Sequence, residues 1–560
     1  MQPCERSVLL VGATGAFGER LAAGLIRSGI AVIAVARNTA RLEKLARQLG
    51  TQISIETCER SRIDTPFLNI LRSRHPGLYA VADASGPFQA SDDRLPRAAI
   101  GAHLHYVDLA DARDFVGHIS DLDQAARSAD IAVLSGASST PALSHAVLDW
   151  LVADARTIMS IDVSIAPGNR APRGLSVVQA ILSTVGQPVR VFRGGRWSEH
   201  AGWSLGKTVT LPGIGKRPVA LCETPDLDLL VARYHPTVDA IFRAGLELSL
   251  LHYGVAALGL FVRLGLVKTL TPLARPLRTI ADLLKPFGSD RGGMRIDARL
   301  VNDKGDLVHR VWTLSANAGA GPYIPTLPAL AALKMLADNS LSWRGAAACA
   351  GIIPYDVIAA QFTHHGITAK QCGTATPPPL MKRLLGADYD TLPAVIRNGH
   401  DVSGVLVLEG RADATSPDGI ITAIFSRVFR FPRGGANMPL RVEMRGENDG
   451  SETWTRIYPD VTMRSNLRNA DPSTQCLDEV FGPVAIRLKW RATDVSLTLS
   501  PIGARLFGIP LPSFLCPRSI ARETVDNNGR FQFDVDIAMP LIGPIVRYRG
   551  YLVPLAPDRG

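Results

Sequence analysis

The residues Ser7-Val8-Leu9-Leu10-Val11-Gly12-Ala13-Thr14-Gly15-Ala16-Phe17-Gly18 join an apolar run to three glycines. An apolar strand that ends at a glycine and restarts as an amphipathic helix, here Glu19 to Arg27, has the order of a phosphate-binding turn. Gly12 allows the tight bend and Gly15 lets backbone amides approach a pyrophosphate. Gly18 lets helix and strand pack closely. Thr14, Ala16 and Phe17 complete the turn, and the amides at the helix N-terminus face the anion. The spacing is G-x-x-G-x-x-G, which is weak evidence without context. Context comes from a second apolar strand, Ala31–Ala36, ending in Arg37-Asn38. Sites for NAD place an acid near that position. A guanidinium there pairs with a 2′-phosphate instead, so Arg37 and Asn38 point to NADP over NAD. The plainer alternative is that Arg37 opens a solvated helix with Arg41, Lys44 and Arg47.

The elements that position this turn alternate strand and helix to about residue 155. Strands are expected at Val8–Val11, Ala31–Ala36, Ile53–Glu56, Tyr79–Asp83, His105–Val107 and Ile131–Leu134. This predicts an α/β Rossmann-type parallel sheet over residues 1–155, whose ligand crevice lies at the carboxyl ends of its strands. Three loops there carry polar groups: Asp83 to Phe88, Tyr106 to Ala110, and Gly136 to Pro141. In the first, Ser85, Gly86, Pro87 and Phe88 are expected beside the cofactor. In the second, Tyr106 and Asp108 are candidates for acid–base catalysis, although an Asp after a strand commonly caps the next helix. In the third, Ser138 and Ser139 could bond a nicotinamide amide or a substrate carbonyl, or cap a helix starting near Pro141. None of the 10 tyrosines has Lys four residues later, which argues against the Tyr-x-x-x-Lys chemistry of short-chain dehydrogenases.

With these loops quoted, the chain resembles the saccharopine dehydrogenase-like oxidoreductases. The opening G-A-T-G-A-F-G, the S-G-P-F at Ser85–Phe88, the H-Y-V-D-L-A at His105–Ala110 and the G-A-S-S-T-P at Gly136–Pro141 match in order and spacing. The likeness continues through Trp312–Ala316 and Gly321–Pro325 to Gly351–Pro354, covering residues 5 to 365. Asp83 departs from it, since relatives usually carry Asn. The resemblance implies an NAD(P)-dependent hydride transfer on a C=O, C=N or C=C couple. A second family of the same opening, the NmrA-like sensors, binds NADP without turnover and remains an alternative.

The middle section, residues 156–372, reads as an α/β (α+β) substrate or dimerisation domain, inserted in the Rossmann sheet or appended to it. Strands are expected at Ile158–Ala166 and at Met294–Leu300 paired with Leu307–Ser315 through the turn Asn302-Asp303-Lys304-Gly305. Residues 244–270 form a long apolar stretch broken by Glu247, His252 and Arg263. It has three readings: a core or homodimer-interface helix, a helix lying on a membrane beside Arg263, Lys268, Arg275, Arg278 and Lys285, or a span. It could also line a tunnel. The small charged adduct of true saccharopine dehydrogenases needs clustered arginines. This stretch suggests a hydrophobic, lipid-like substrate instead, as for relatives that act as trans enoyl reductases on lipids.

A Pro-rich linker, Thr374-Ala375-Thr376-Pro377-Pro378-Pro379, opens the last section, residues 373–560. After a helix at Leu380–Leu385, short alternating runs are separated by turns such as Glu447-Asn448-Asp449-Gly450. They predict a β-rich antiparallel domain, barrel-like or curved over a helix. It resembles an uncharacterised C-terminal domain often fused to saccharopine dehydrogenase-like enzymes, through Trp454–Arg456, Glu479–Pro483, Gly508–Pro512 and Tyr548–Leu552. A lipid-binding role for this domain is a further alternative.

The chain of 560 residues carries 61 Lys and Arg against 51 Asp and Glu. The positive balance favours anionic partners, but the cations are scattered and no nucleic-acid motif is present. The seven cysteines, among them Cys4, form no C-x-x-C, and His103 with His105 lack further ligands, so no metal site is expected. His364-His365 are expected in solvent, and His400-Asp401 at a helix end with no nucleophile motif nearby. A reducing, cytoplasmic setting fits, with attachment at the inner membrane surface if residues 244–270 lie on it. The first apolar stretch lacks a cleavage site, so no signal peptide is expected.

Overall fold

A computed structural model of the chain describes residues 6–50, 52–172, 174–375, 377–402, 404–432, 434–447, 449–540 and 542–555. Cys4, Thr376 and Asn448 lie outside the described residues. The chain divides into two compact units. Residues 1–193, 197–303 and 310–373 form the first, and residues 194–196, 304–309 and 374–560 the second.

The first unit opens with six short apolar strands: β1 (Ser7–Val11), β2 (Ala31–Ala36), β3 (Ile53–Thr57), β4 (Leu78–Asp83), β5 (His105–Asp108) and β6 (Ala132–Ser135). β1 and β4 are buried along their whole length, as parallel strands covered on both faces must be. A seventh strand, β7 (Gly345–Ala348), returns from far along the chain to pair with β6. The order is β7-β6-β5-β4-β1-β2-β3, with every pairing parallel. It reverses at β1 and β4, which opens the crevice above their carboxyl ends. Helix α1 (Gly18–Arg27) follows β1, and α2 (Thr39–Leu49) follows β2. The middle section is therefore inserted in the parallel sheet.

That insertion builds a nine-stranded mixed sheet. Its backbone runs 207–211, 215–221, 239–244, 155–166, 292–302, 307–316, 367–375, and the expected turn has Gly305 at φ +87°. Two helices, α3 (Ser249–Arg263) and α4 (Ala274–Leu283), cover it. Helix α3 has 15 residues, where a span needs about 20. No helix of the described residues is long and apolar enough to cross a membrane, so the spanning reading of residues 244–270 is corrected. One face of α3, with Val255, Ala256 and Val262, packs on Leu182, Val185 and Trp203.

The second unit is a closed antiparallel barrel of ten strands. It runs from Val405–Thr415 to Gly543–Pro554, and these two strands pair with each other. Closure on the far side comes from Leu497–Leu506, which pairs with both Val484–Ala492 and Arg518–Val525. Leu380, Leu384 and Ile396, from short helices before the first strand, share a buried core with Trp490 and Phe531. A further helix, α5 (Ile420–Phe429), lies between the first two strands. His400 follows the helix Ala394–Gly399 as its C-cap, at a helix end as expected, but is drawn into the barrel core. It is 1% exposed and bonds the Glu523 carboxylate at 2.6 Å. Burial works against its charge, but that carboxylate holds its pKa above the ordinary value.

In the first unit, His105 accepts a hydrogen bond from Ala132 N–H at 3.0 Å. Burial, then Arg344, lowers its pKa from 6.5 to about 4. Between those values the unfolded chain binds a proton that the folded chain refuses. Stability is therefore unaffected by this group above pH 6.5 and falls as pH drops from there toward 4. Thermal melts across that window are expected to show a shallower decline in His105→Asn, whose side-chain oxygen can still accept the bond.

Candidate active site

The turn after β1 is built for glycine. Gly12 has φ +76°, and a Cβ there would come within 2.7 Å of Ser85 Cα and 2.8 Å of the Ala84 oxygen. A Cβ at Gly18 would lie 2.2 Å from the Gly12 oxygen, so α1 starts directly against the turn. Gly12 and Ala13 N–H donate to the Val35 oxygen at 2.9 and 3.2 Å, and Gly15 N–H donates to the Gly12 oxygen at 2.9 Å. The N–H groups of Thr14, Ala16 and Phe17 donate to nothing among the described residues. Donors left open at a helix N-terminus fit a diphosphate. At the end of β2, Arg37 is exposed and holds no ion pair or hydrogen bond among the described residues. Asn38 does other work: its Oδ1 accepts from Arg41 N–H at 3.0 Å and caps α2.

The β4 loop divides. Ser85 N–H and Oγ both donate to Asp83 Oδ1, at 2.9 and 2.5 Å, so that side chain turns from the crevice. Phe88 is buried, with its ring 5.4 Å from that of Phe115. Gly86 is half-buried and Pro87 exposed, which leaves them the accessible part of this loop. Asp83 itself is 1% exposed, and its Oδ2 takes Arg60 Nε at 2.9 Å and the Tyr106 hydroxyl at 3.4 Å. Arg60 compensates the acid that stands where Asn was expected. Sequence reading gave no sign of this partner, 23 positions away.

Tyr106 and Asp108 are corrected as catalytic candidates. Both are 0% exposed. Tyr106 sits among the core residues of the sheet. Asp108 accepts from Ala110 N–H at 2.9 Å, Gly136 N–H at 2.7 Å and Ser135 Oγ at 2.9 Å. Burial pushes its carboxyl up to about 7 while those N–H donors pull it down. It ties the ends of β5 and β6 together.

A cavity of about 730 Å³ opens beside these strand ends. Phe17 from the glycine turn and Ser138, Ser139 and Thr140 from the β6 loop line one side. Thr140 Oγ1 is buried without a partner. Asp111, three residues past the sealed Asp108, is exposed and lines the cavity, with Gln89 Nε2 donating to it at 3.3 Å. Although the residue is exposed at the cavity, crowding by the nearby walls costs its carboxylate hydration and raises its pKa above the usual range, against the Gln89 bond. Burial raises Glu223 as well, against the Arg113 guanidinium 3.6 Å away. Arg113 makes a bidentate pair with Asp228 at 2.6 and 2.5 Å. The opposite wall is apolar, with Ile181, Leu246, Leu250, Leu258, Leu277 and Ile280. Within it, Cys222 is pushed by burial up to about 12 and stays a neutral thiol. The sequence reading singled out the β5 loop but did not single out Asp111 within it. Among the described residues, no group of three or more His, Cys, Asp or Glu is placed to hold a metal.

The parallel sheet and the glycine turn define a Rossmann-type fold with an inserted mixed-sheet domain. The fold is similar to that of a saccharopine dehydrogenase (L-Glu forming) from Saccharomyces cerevisiae, with a TM-score of 0.51 at 13% identity over 66% of this chain and 100% of that one. Residues 392–552 match a domain of unknown function, DUF4166, so the barrel is the fused C-terminal domain read from the sequence. Smaller parts resemble a metagenomic short-chain oxidoreductase in complex with NADP (16% identity, 23% of this chain and 80% of that one, TM-score 0.20). An actinorhodin polyketide ketoreductase with NADPH is also similar (19%, 27% and 76%, TM-score 0.20). No curated protein matches the chain.

Removing Arg60 leaves the Asp83 carboxylate buried without its counter-ion, which costs about 3–5 kcal/mol in comparable pairs. Denaturant unfolding of Arg60→Ala is expected to show a loss of that order. Adding Asp83→Asn to the same chain should recover most of it.

Proposed function

We propose that the first unit is an NADP-dependent oxidoreductase acting on an apolar, lipid-like substrate. The observation that carries the reading is the 730 Å³ cavity running from the glycine turn to an apolar wall. Bound NADPH would supply a hydride from its nicotinamide ring. The open N–H groups of Thr14, Ala16 and Phe17 would hold its diphosphate. The partnerless Arg37 would pair with its 2′-phosphate, a group NAD lacks. Phe17 lines the cavity from the cofactor turn, so the cofactor's reactive end is taken to enter from that side.

The remaining task is one proton. Asp111 faces the cavity with a raised carboxyl, which suits a general acid better than an ordinary carboxylate. The hydroxyls of Ser138, Ser139 and Thr140 suit a substrate oxygen. Arg113 is committed to Asp228 and Glu223, so this wall offers little to a substrate rich in carboxylates.

The test is NADPH oxidation, followed by absorbance, with a long-chain α,β-unsaturated aldehyde that offers both C=O and C=C. Consumption is expected, with Arg37→Asp shifting preference toward NADH. Asp111→Asn should bind NADPH as before and lower turnover by about 10²-fold or more. Activity should decline as pH rises through the raised Asp111 value. Tight NADPH binding with no consumption would sink the enzyme reading in favour of a non-catalytic sensor.

A further inference from the structure

The second unit holds its own cavity, about 530 Å³ within the barrel. That lies inside the range of small-molecule sites, about 300–1,000 Å³. Its walls are mostly apolar, with Leu440, Val442, Phe533, Val535 and Ile545 from three strands and Phe425 and Phe429 from α5. One spot is polar. Arg456 Nη2 meets Glu479 Oε1 at 3.2 Å and Arg456 Nη1 meets Ser465 Oγ at 3.0 Å, so the guanidinium is already neutralised. Beside them Tyr458 is 4% exposed, lines the cavity and has a hydroxyl with no partner. A buried hydroxyl left open is uncommon in a finished core. It is a donor waiting for an oxygen. A carboxylate at this spot would meet the Glu479 charge, whereas a neutral oxygen would not. Around the mouth, Leu506, Leu511 and Leu515 line the cavity, and Phe507 and Ile509 nearby are 79% and 70% exposed.

We propose that the barrel binds a long-chain amphiphile whose polar group is an uncharged oxygen acceptor such as an ester or ketone, held by Tyr458 in an apolar lumen. The proposal does not depend on the redox reading. Its test uses the whole chain and two fluorescent polyene probes, cis-parinaric acid and its methyl ester. The ester should bind more tightly than the acid. Tyr458→Phe, which removes one oxygen, should weaken ester binding several-fold and narrow that difference. Val535→Trp, which fills the lumen, should abolish the barrel's share of binding, while Ala180→Trp in the other cavity leaves it intact. Ester binding unchanged by Tyr458→Phe, or an acid preferred over its ester, would overturn the proposal even if Val535→Trp fails to fold.

A separate observation concerns the outer face of α3 and α4. Of the 23 large apolar side chains exposed among the described residues, eleven fall between Leu250 and Phe287. On α3, Leu250, Tyr253, Leu260 and Phe261 form a bare stripe opposite the packed face, continued by Leu264. A helix apolar all round with one side in solvent is incomplete without a covering phase. The same interval carries five cations and a single acid, Asp282, which pairs with Lys285 at 2.8 Å. Leu250, Leu277 and Ile280 also line the cavity, so the bare face adjoins its wall.

We infer that this face docks on an anionic bilayer surface. Charge complementarity favours that occupant over a second copy of the same cationic face. The whole chain should float with phosphatidylcholine vesicles containing phosphatidylglycerol, less so in high salt, and weakly with phosphatidylcholine alone. The exposed double variant Phe261→Ser/Leu264→Ser should lose flotation. No flotation, or a dimer by light scattering that this variant turns into monomer, would overturn the inference and assign the face to a second copy.

Discussion

Asp83 and Asp108 stand in register at the ends of two adjacent parallel strands, both buried. Two carboxylates so placed repel, and each loses its hydration. The rest of the crevice depends on how this conflict is resolved, and the two acids resolve it differently. Asp83 takes a cation, Arg60, and two donors from Ser85. Asp108 takes no cation and is held by backbone N–H groups and the Ser135 hydroxyl. The second solution has a geometric consequence. Its donors come from the loops after β5 and β6, and Ala137 N–H adds a bond to the Asp108 carbonyl at 2.8 Å. The loops that carry Asp111 and Ser138–Thr140 are thereby fixed to one another. A sealed carboxylate positions the residues that face the cavity.

The legible parts of the chain were those encoded locally. The glycine turn was readable because Gly12 and Gly18 each answer a clash within a few residues or against the neighbouring strand, where no other side chain fits. The barrel strands alternate apolar and polar residues, and that period survives in any register. What escaped was set by distant partners. β7 reads Gly-Ala-Ala-Ala, with none of the β-branched residues that mark a strand, and it is a strand only because β6 offers an unpaired edge. Arg60 lies in a short turn whose sequence says nothing of Asp83. Asp108 was singled out in preference to Asp111 because strand ends point to the crevice in general, whereas the direction of one side chain depends on which N–H groups reach it first. His400 looked like a helix terminus and became a buried partner of Glu523, since only the closed barrel brings residues 123 positions apart together.

The two cavities follow one physical rule. Each sets an apolar wall against a polar region that holds a paired guanidinium, Arg113 with Asp228 in the first unit and Arg456 with Glu479 in the second. Pairing lowers the cost of burying a guanidinium and removes its pull on anionic ligands. What remains for recognition is hydrogen bonding by neutral groups, Thr140 and Tyr458 among them, each with an oxygen left unpartnered. A site of this kind discriminates by the presence of an oxygen acceptor at one end of a greasy molecule. It discriminates poorly by net charge.

Molecules with that chemistry are scarce in free solution, because moving their apolar surface into water is unfavourable by about 25 cal/mol per Å². A protein that waits for them in water sees a low concentration, however well its cavity fits. Under the two proposals made above, the bare face of α3 and α4 would answer this constraint. Its side chains carry the same cost in water as the substrate would, and contact with a bilayer relieves both together. The exposed rim at Phe507 and Ile509 gives the barrel a comparable feature in its own unit. An apolar surface adjoining an apolar cavity lets a molecule pass from one to the other without full hydration at any step, and that shared physical logic links the folds of the two units.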